Sequence, residues 1–248
     1  MAIKKYFANK DNTITSAFQN NLLTRATGSN MGLSDVLETF SICGQASSGS
    51  TELERILIEF PVNKISQDRV SGLIPESGKV NFYLNMYNAP HNQTVPREAK
   101  LVVLPLSKAW EEGTGLDMDG YTDVVRGGEG SNWVQASKGT NWTRQGGDYL
   151  TTPVYDQQFP IGTEDLKIDV TTLVEGWIAG TYDNYGVGIH FTSSQEAYFF
   201  NDSGVDVGSQ LYNPDGATES YYTKKFFGRG SEFFFKRPNI EAVWDSSI

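Results

Sequence analysis

Apolar residues recur at every second position in several short stretches of this 248-residue chain. The clearest is 80–87, where Val80, Phe82, Leu84 and Met86 alternate with Asn81, Tyr83, Asn85 and Tyr87. That period puts one row on a buried sheet face and leaves an aromatic, amide-rich row on the other. Ile56, Ile58, Phe60 and Val62 alternate with Arg55, Leu57, Glu59 and Pro61, which predicts a strand with Pro61 at its edge or end. Leu101, Val102, Val103, Leu104, Pro105 and Leu106 read as a strand buried on both faces. Leu166, Ile168 and Val170 alternate too, and then the period changes so that Leu173 and Trp177 share one helical face. Thr172 and Glu175 have capping-box spacing, while Gly180 and the turn of Asn184, Tyr185 and Gly186 stop the helix before another strand at 187–191.

Val36, Phe40 and Ile42, with Leu37 and Ser41, suggest a strand at 36–42, followed by a Ser/Gly loop at 45–51. Residues 113–149 hold many Gly, Asp, Ser and Asn residues and few apolar runs, and a loop of that length in a compact domain is usually functional or ordered by a neighbour. Residues 197–200, 221–227 and 233–235 read as further strands, the last two framing a turn at 228–231, and Ile240, Ala242 and Trp244 close the sheet structure. The pattern predicts an all-β sandwich with one short helix and long Gly/Asp/Asn-rich loops. Its core should contain Ile56, Ile58, Phe60, Val80, Phe82, Leu84, Ile168, Val170, Leu173, Trp177, Val187, Ile189 and Phe191. Residues 1–50 read as a polar segment reserved for assembly contacts, and residues 51–248 as the sandwich domain.

Composition agrees with strands and turns: 25 Gly, 14 Phe and 12 Tyr accompany a charged fraction of only 20%. The net charge of −10 repels a phosphate backbone, so nucleic acid is not an expected partner. Cys43 is the single cysteine, which excludes an intrachain disulfide, a thiolate zinc site and a CxxC redox pair. No apolar run has the form of a signal peptide or the length of a membrane span, so neither simple export nor membrane insertion is expected.

Candidate chemistry is sparse. His91 beside Pro90 and His190 in a predicted strand lack motif-spaced partners for a nucleophilic triad or a metal pair. Glu111 and Glu112, adjacent on an extended segment, point to opposite sides, whereas a glycosidase needs two carboxyl groups facing one sugar. Catalysis is therefore not expected, and no cofactor is. Asp117, Asp119 and Asp123 around Gly120 are the oxygen-rich grouping that Ca²⁺ takes, but Tyr121 stands where a third ligand belongs and no bidentate glutamate completes the spacing. A solvated acidic turn is the favoured reading, with Ca²⁺ as the alternative. Trp133, Trp142, Tyr149 and Tyr155, with Tyr83 and Tyr87 on the polar face of their strand, are candidates for contact with a glycan or a neighbouring subunit, or for packing of the long loop.

Three blocks carry a family resemblance: residues 54–60 (Glu-Arg-Ile-Leu-Ile-Glu-Phe), residues 110–115 (Trp-Glu-Glu-Gly-Thr-Gly) with Asn141-Trp142 downstream, and residues 169–189. In that order they resemble the DNRLRE-type domain, a jelly-roll module of surface proteins that some class with carbohydrate-binding modules, over roughly residues 53–191. The resemblance implies a jelly-roll fold and a structural Trp110. The opening residues 1–15 and the ending residues 236–245 are similar to virion structural proteins of tailed marine phages of the cyanophage kind. That similarity implies a non-enzymatic structural component on the virion exterior, in tail, baseplate, neck or head surface. It would be made in the host cytoplasm and act through contacts with other virion proteins and with copies of itself. The alternative is an adhesion module that binds host surface polysaccharide.

Overall fold

The computed structural model describes residues 1–19, 21–44, 51–91, 95–116 and 129–247. Its strands are β1 (Ala2–Phe7), β2 (Lys10–Thr15), β3 (Val36–Cys43), β4 (Thr51–Glu59), β5 (Val80–Met86), β6 (Ala99–Pro105), β7 (Gln135–Ser137), β8 (Thr140–Asn141), β9 (Tyr155–Phe159), β10 (Leu166–Asp169), β11 (Val187–Phe191), β12 (Tyr221–Phe227) and β13 (Asn239–Trp244). Helices α1 (Val62–Val70) and α2 (Thr171–Ile178) interrupt them. A four-stranded sheet runs β1-β13-β5-β10, and a seven-stranded sheet runs β12-β3-β4-β11-β6-β9 with β2 also on β4. The strands of both sheets pair antiparallel. Taken in chain order, β1, β4, β5, β6, β9, β10, β11 and β13 occupy positions B to I of a jelly roll, with B-I-D-G facing C-H-E-F.

The main core lies between the sheets. Every residue expected there from alternation is buried, from Ile56 and Phe82 at 0% exposed to Ile168 at 8%. Burying a side chain such as Phe82 contributes about 2 to 3 kcal/mol. The helices cover one mouth of the sandwich, with Val62, Ile65, Leu173, Val174 and Trp177 in the core, and a two-pronged ion pair between Arg69 and Glu175 joins them at 2.6 and 2.7 Å.

Several expectations change. Among the described residues there are two α-helices rather than one. α1 begins at Pro61, which lacks the N–H a continuing ladder needs but suits a helix start, and Val62 and Ile65 then fall three apart on its buried side. α2 is not closed by a capping box: Asp169 Oδ1 accepts the Thr171 N–H at 2.9 Å, and Glu175 is held by Arg69 instead. β6 is not buried evenly, since Ala99, Leu101, Val103 and Pro105 are buried while the residues between them are half-covered. Residues 233–235 are not a strand but lead into a 3₁₀ turn over Phe234–Lys236.

Residues 2–43 are not an appended segment. β1 forms an edge of the small sheet, and β2 and β3 pair with β4 in the large one. β2 is polar yet buried, with Asp11, Asn12, Thr13 and Thr15 at 1% exposure or less. Hydrogen bonds make that tolerable: Asn12 Nδ2 donates to the Ser131 hydroxyl and carbonyl, and Asn12 Oδ1 accepts from Met31 N–H. Among the described residues no helix is long and apolar enough to cross a membrane.

Candidate functional site

The two sheets turn very different outer faces to their surroundings. On the large sheet, Leu53 and Leu57 of β4 and Ile14 of β2 face away from the main core. They are covered by Leu106, Trp110, Trp133, Ala136, Trp142, Ala197 and Leu211, which makes a second core. Trp133 is fully buried and Trp142 is 4% exposed, so neither ring offers a face to a sugar or a subunit. The Nε1 of Trp142 donates to Asn132 O and that of Trp110 to Tyr185 O, both at 2.8 Å. Trp110 is buried and packs in this second core.

At the centre of this second core sits an ion pair. Arg55 Nε and Nη2 donate to the two carboxylate oxygens of Glu196 at 2.8 and 2.7 Å, and Nη1 donates to Gly146 O at 3.1 Å. The guanidinium lies between the rings of Trp133 and Tyr149, at 5.5 and 5.6 Å from their centroids. Tyr149 donates its hydroxyl to Gly146 O, and its ring meets His190 at 5.3 Å. Gly188 makes this approach available, because a Cβ there would stand 2.2 Å from the Tyr149 ring. Burial alone would push the Glu196 carboxyl up, but the Arg55 charge outweighs it and holds the group down at about 2. The arrangement clamps the 142–149 and 193–197 segments to β4. His190 Nε2 is buried without a partner, and the ring is enclosed by Tyr149 and Glu196 rather than opened to a cleft.

Of the other expected residues, Tyr155 packs against the main core. Glu111 and Glu112 do diverge: Glu112 holds Arg229 and the Asp11 N–H, while Glu111 accepts from Lys138 N–H. His91 contacts Asn88, and burial lowers its imidazole to about 4. Lys224, which the sequence did not single out, is 1% exposed; it donates to Asn88 Oδ1, Gly162 O and Glu164 O at 2.5 to 2.9 Å between the rings of Phe159 and Phe226. Burial brings it down to about 8, and its three oxygen partners tie the loop after β5 and the β9–β10 loop to β12. Asp117, Asp119 and Asp123 lie outside the described residues. Among the described residues no group of three His, Cys, Asp or Glu is placed to hold a metal ion.

The outer face of the small sheet is different. Register sets Lys5, Glu241, Tyr83 and Asp169 in one row, and Phe7, Asn239, Asn85 and Lys167 in the next. Glu241 lies 3.5 Å from Lys5 and 3.6 Å from Lys167; Lys5 also reaches Tyr87, and Lys167 lies over the Tyr83 ring. Tyr83 and Tyr87 therefore stand on a polar face that, among the described residues, has no apolar second core like that of the large sheet.

At the Phe7 end of this face is an aromatic patch that periodicity did not find. Phe233, Phe234 and Phe235 are 52%, 49% and 79% exposed. On a 3₁₀ turn, consecutive side chains point about 120° apart, so three in a row cannot all enter one core. Phe234 packs on Phe7 with tilted rings 4.5 Å apart, Phe233 meets Phe227 edge-on at 5.4 Å, and Phe235 meets Phe234 edge-on. Lys236 lies over Phe227 and Phe233, and Arg237 over Phe234. Two of the rings are thus braced in place and the third is presented outward. Chemically the site offers apolar area ringed by cations, beside a sheet face on which Tyr83 and Tyr87 are half-buried and the Asn85 and Asn239 amides are buried. No protein-family model matches the chain, and no curated protein matches it.

Proposed function

We propose that this chain is a non-enzymatic structural component of a tailed-phage virion, on the particle exterior, acting through contacts with other virion proteins and with copies of itself. The observation that carries the proposal is the exposed Phe233–Phe235 patch: three large rings left to water, on a chain that buries four of its five tryptophans, are favourable only if a partner desolvates them. The similarity of both termini to virion structural proteins supplies the particle, and the family-like blocks supply its surface position. In this reading the chain needs no cofactor and no bound metal.

Intact particles test this directly. Hydroxyl-radical footprinting should show Phe233, Phe234 and Phe235 protected in the particle and oxidised in the free chain. Equal labelling in both states would remove the reading.

A second reading, a module that binds surface polysaccharide, is favoured by one feature. Trp244 is the only tryptophan of the five that is half-buried rather than buried, and it lines a cleft of about 680 Å³ with Arg69, Glu76, Lys79 and Asp245. A glycan array in which Trp244→Ala abolishes saturable binding would move the function to this cleft.

A further inference from the structure

The small sheet ends in β1, and its hydrogen bonding fixes which backbone groups are free. Just past the strand, Ala8 N–H donates to Pro238 O at 3.0 Å, so this is a hydrogen-bonded position of the β1–β13 ladder. Such positions alternate with unbonded ones in an antiparallel pair. With Phe7 opposite Asn239, Lys5 opposite Glu241 and Ile3 opposite Val243, the N–H and C=O groups of Ile3, Lys5 and Phe7 point away from β13. The next residue in that series, Asn9, confirms the parity by donating to Glu59 O on the large sheet at 3.0 Å. Ile3, Lys5 and Phe7 have no corresponding strand beside them among the described residues.

Two other margins of the sandwich are closed. Along β10 the Gln157 side chain takes the Lys167 N–H at 2.8 Å and donates to Asp165 O at 2.7 Å. Along β12 the segment after β5 does the same work, with Phe227 N–H on Tyr87 O and Ala89 N–H on Lys225 O. β1 has neither device, no proline and no bulge; its guards are Lys5 on the outer face and the inward-facing Lys4, both taken up in ion pairs, and its free backbone groups still invite pairing.

Charge selects what could pair there. Lys4 and Lys64 share Asp68, and Lys5 and Lys167 share Glu241. Within these ion pairs four ammonium groups surround two carboxylates, a local positive surplus on a chain of net charge −10. A second β1 is a poor occupant. Pairing through this edge matches Ile3, Lys5 and Phe7 with their own kind, and the register that uses all three sets Lys5 opposite Lys5, which is destabilising. We infer that the β1 edge accepts an extended segment of a partner protein as an added strand, with an acidic residue opposite Lys5 and apolar residues opposite Ile3 and Phe7. The inference rests on the assembly reading and names one of its contacts: a strand laid along β1 runs up to Phe7 and the Phe234 ring packed on it.

The test is an amide NMR titration of the whole chain with the blocked peptide acetyl-Thr-Ile-Thr-Glu-Thr-Ile-Thr-amide, and with its counterpart carrying Lys for Glu. The acidic peptide should shift the amides of Ile3, Lys5 and Phe7 and bind about tenfold more tightly than the basic one. Lys5→Pro should abolish the response while the melting curve stays close to wild type, because that N–H faces away from β13. Lys5→Glu should reverse the preference between the peptides. Absence of shifts at millimolar peptide, equal response to both peptides, or unchanged binding by Lys5→Pro would each overturn the inference. The titration requires no particle, so a silent edge with a protected Phe patch in particles sinks strand addition alone. A responsive edge with an exposed patch in particles sinks the virion reading alone.

Discussion

The outer faces of the two sheets are made from the same geometry and reach opposite ends. Both alternate inward and outward side chains, yet among the described residues the large sheet is overlaid by a second core and the small one is not. The difference lies in the outward residues. Leu53, Leu57 and Ile14 cannot be left to water without cost, and the 106–150 region supplies the tryptophans that cover them. Lys5, Glu241, Tyr83 and Lys167 satisfy one another on the small sheet, so no layer is required there. A long loop that looks unstructured by hydropathy is thus recruited by the apolar row beneath it. Among the described residues the Phe233–Phe235 patch has no such cover.

The largest expected effect comes from breaking the covered face at its centre. Glu196→Gln leaves the Arg55 guanidinium buried without a counter-charge and should destabilise the fold by about 3 to 5 kcal/mol in urea denaturation. Replacing both residues with apolar ones of similar volume should recover most of that loss, since the pair's desolvation cost disappears with it. If the single variant melts like wild type, the second core does not depend on its ion pair.

Neither partner of that clamp was legible in the sequence, because 141 residues separate Arg55 from Glu196 and no local period links them. The sandwich itself was readable wherever one face is apolar and the other polar, as along β5 and through β10, α2 and β11. Reading failed where that contrast fails. In β4 both Ile56 and Leu57 are buried, one in each core. In β2 the buried side chains are polar and held by hydrogen bonds from distant loops. In β1 an inward-facing lysine is tolerated only because Asp68 of α1 meets it at 2.6 Å. Tyr83 and Tyr87 were placed on an outer face by alternation alone, whereas Trp133 and Trp142 were assigned by composition, which does not say which side of a loop they take. The Phe233–Phe235 run was in plain view, but as a strand it hides one ring in three.

The same clamp sets an acid limit. The folded chain holds Glu196 at about 2, below the ordinary carboxylate range near 4.5, so its contribution is complete above pH 4.5 and is lost as pH falls toward 2. Asp11 behaves in the opposite sense, since burial raises it to about 6. Its contribution is present below its ordinary value of 3.8 and declines as pH rises through 6. Stability profiles of Glu196→Gln and Asp11→Asn should each lose one of these two slopes and keep the other. A wild-type profile that is flat from pH 7 down to 2 would contradict both assignments.

The smallest effect on the lone chain is expected at the patch, and there the smallness is the informative part. Phe235 is 79% exposed and its ring meets that of Phe234 at the surface, so Phe235→Ser should change unfolding free energy by less than about 0.5 kcal/mol. Trp133→Ala, by contrast, should cost about 3 to 5 kcal/mol because its ring fills the second core. Yet the order should invert for assembly. A serine at 235 removes the ring most open to a partner, while the braced Phe233 and Phe234 keep the turn's shape, so incorporation into particles should fall sharply with the fold intact. Competition between wild-type and Phe235→Ser chains during particle formation, read by mass spectrometry of purified particles, measures this. Equal incorporation would mean that the exposed rings are not a subunit contact, and the saccharide reading at the Trp244 cleft beside α1 would then be the one left to test.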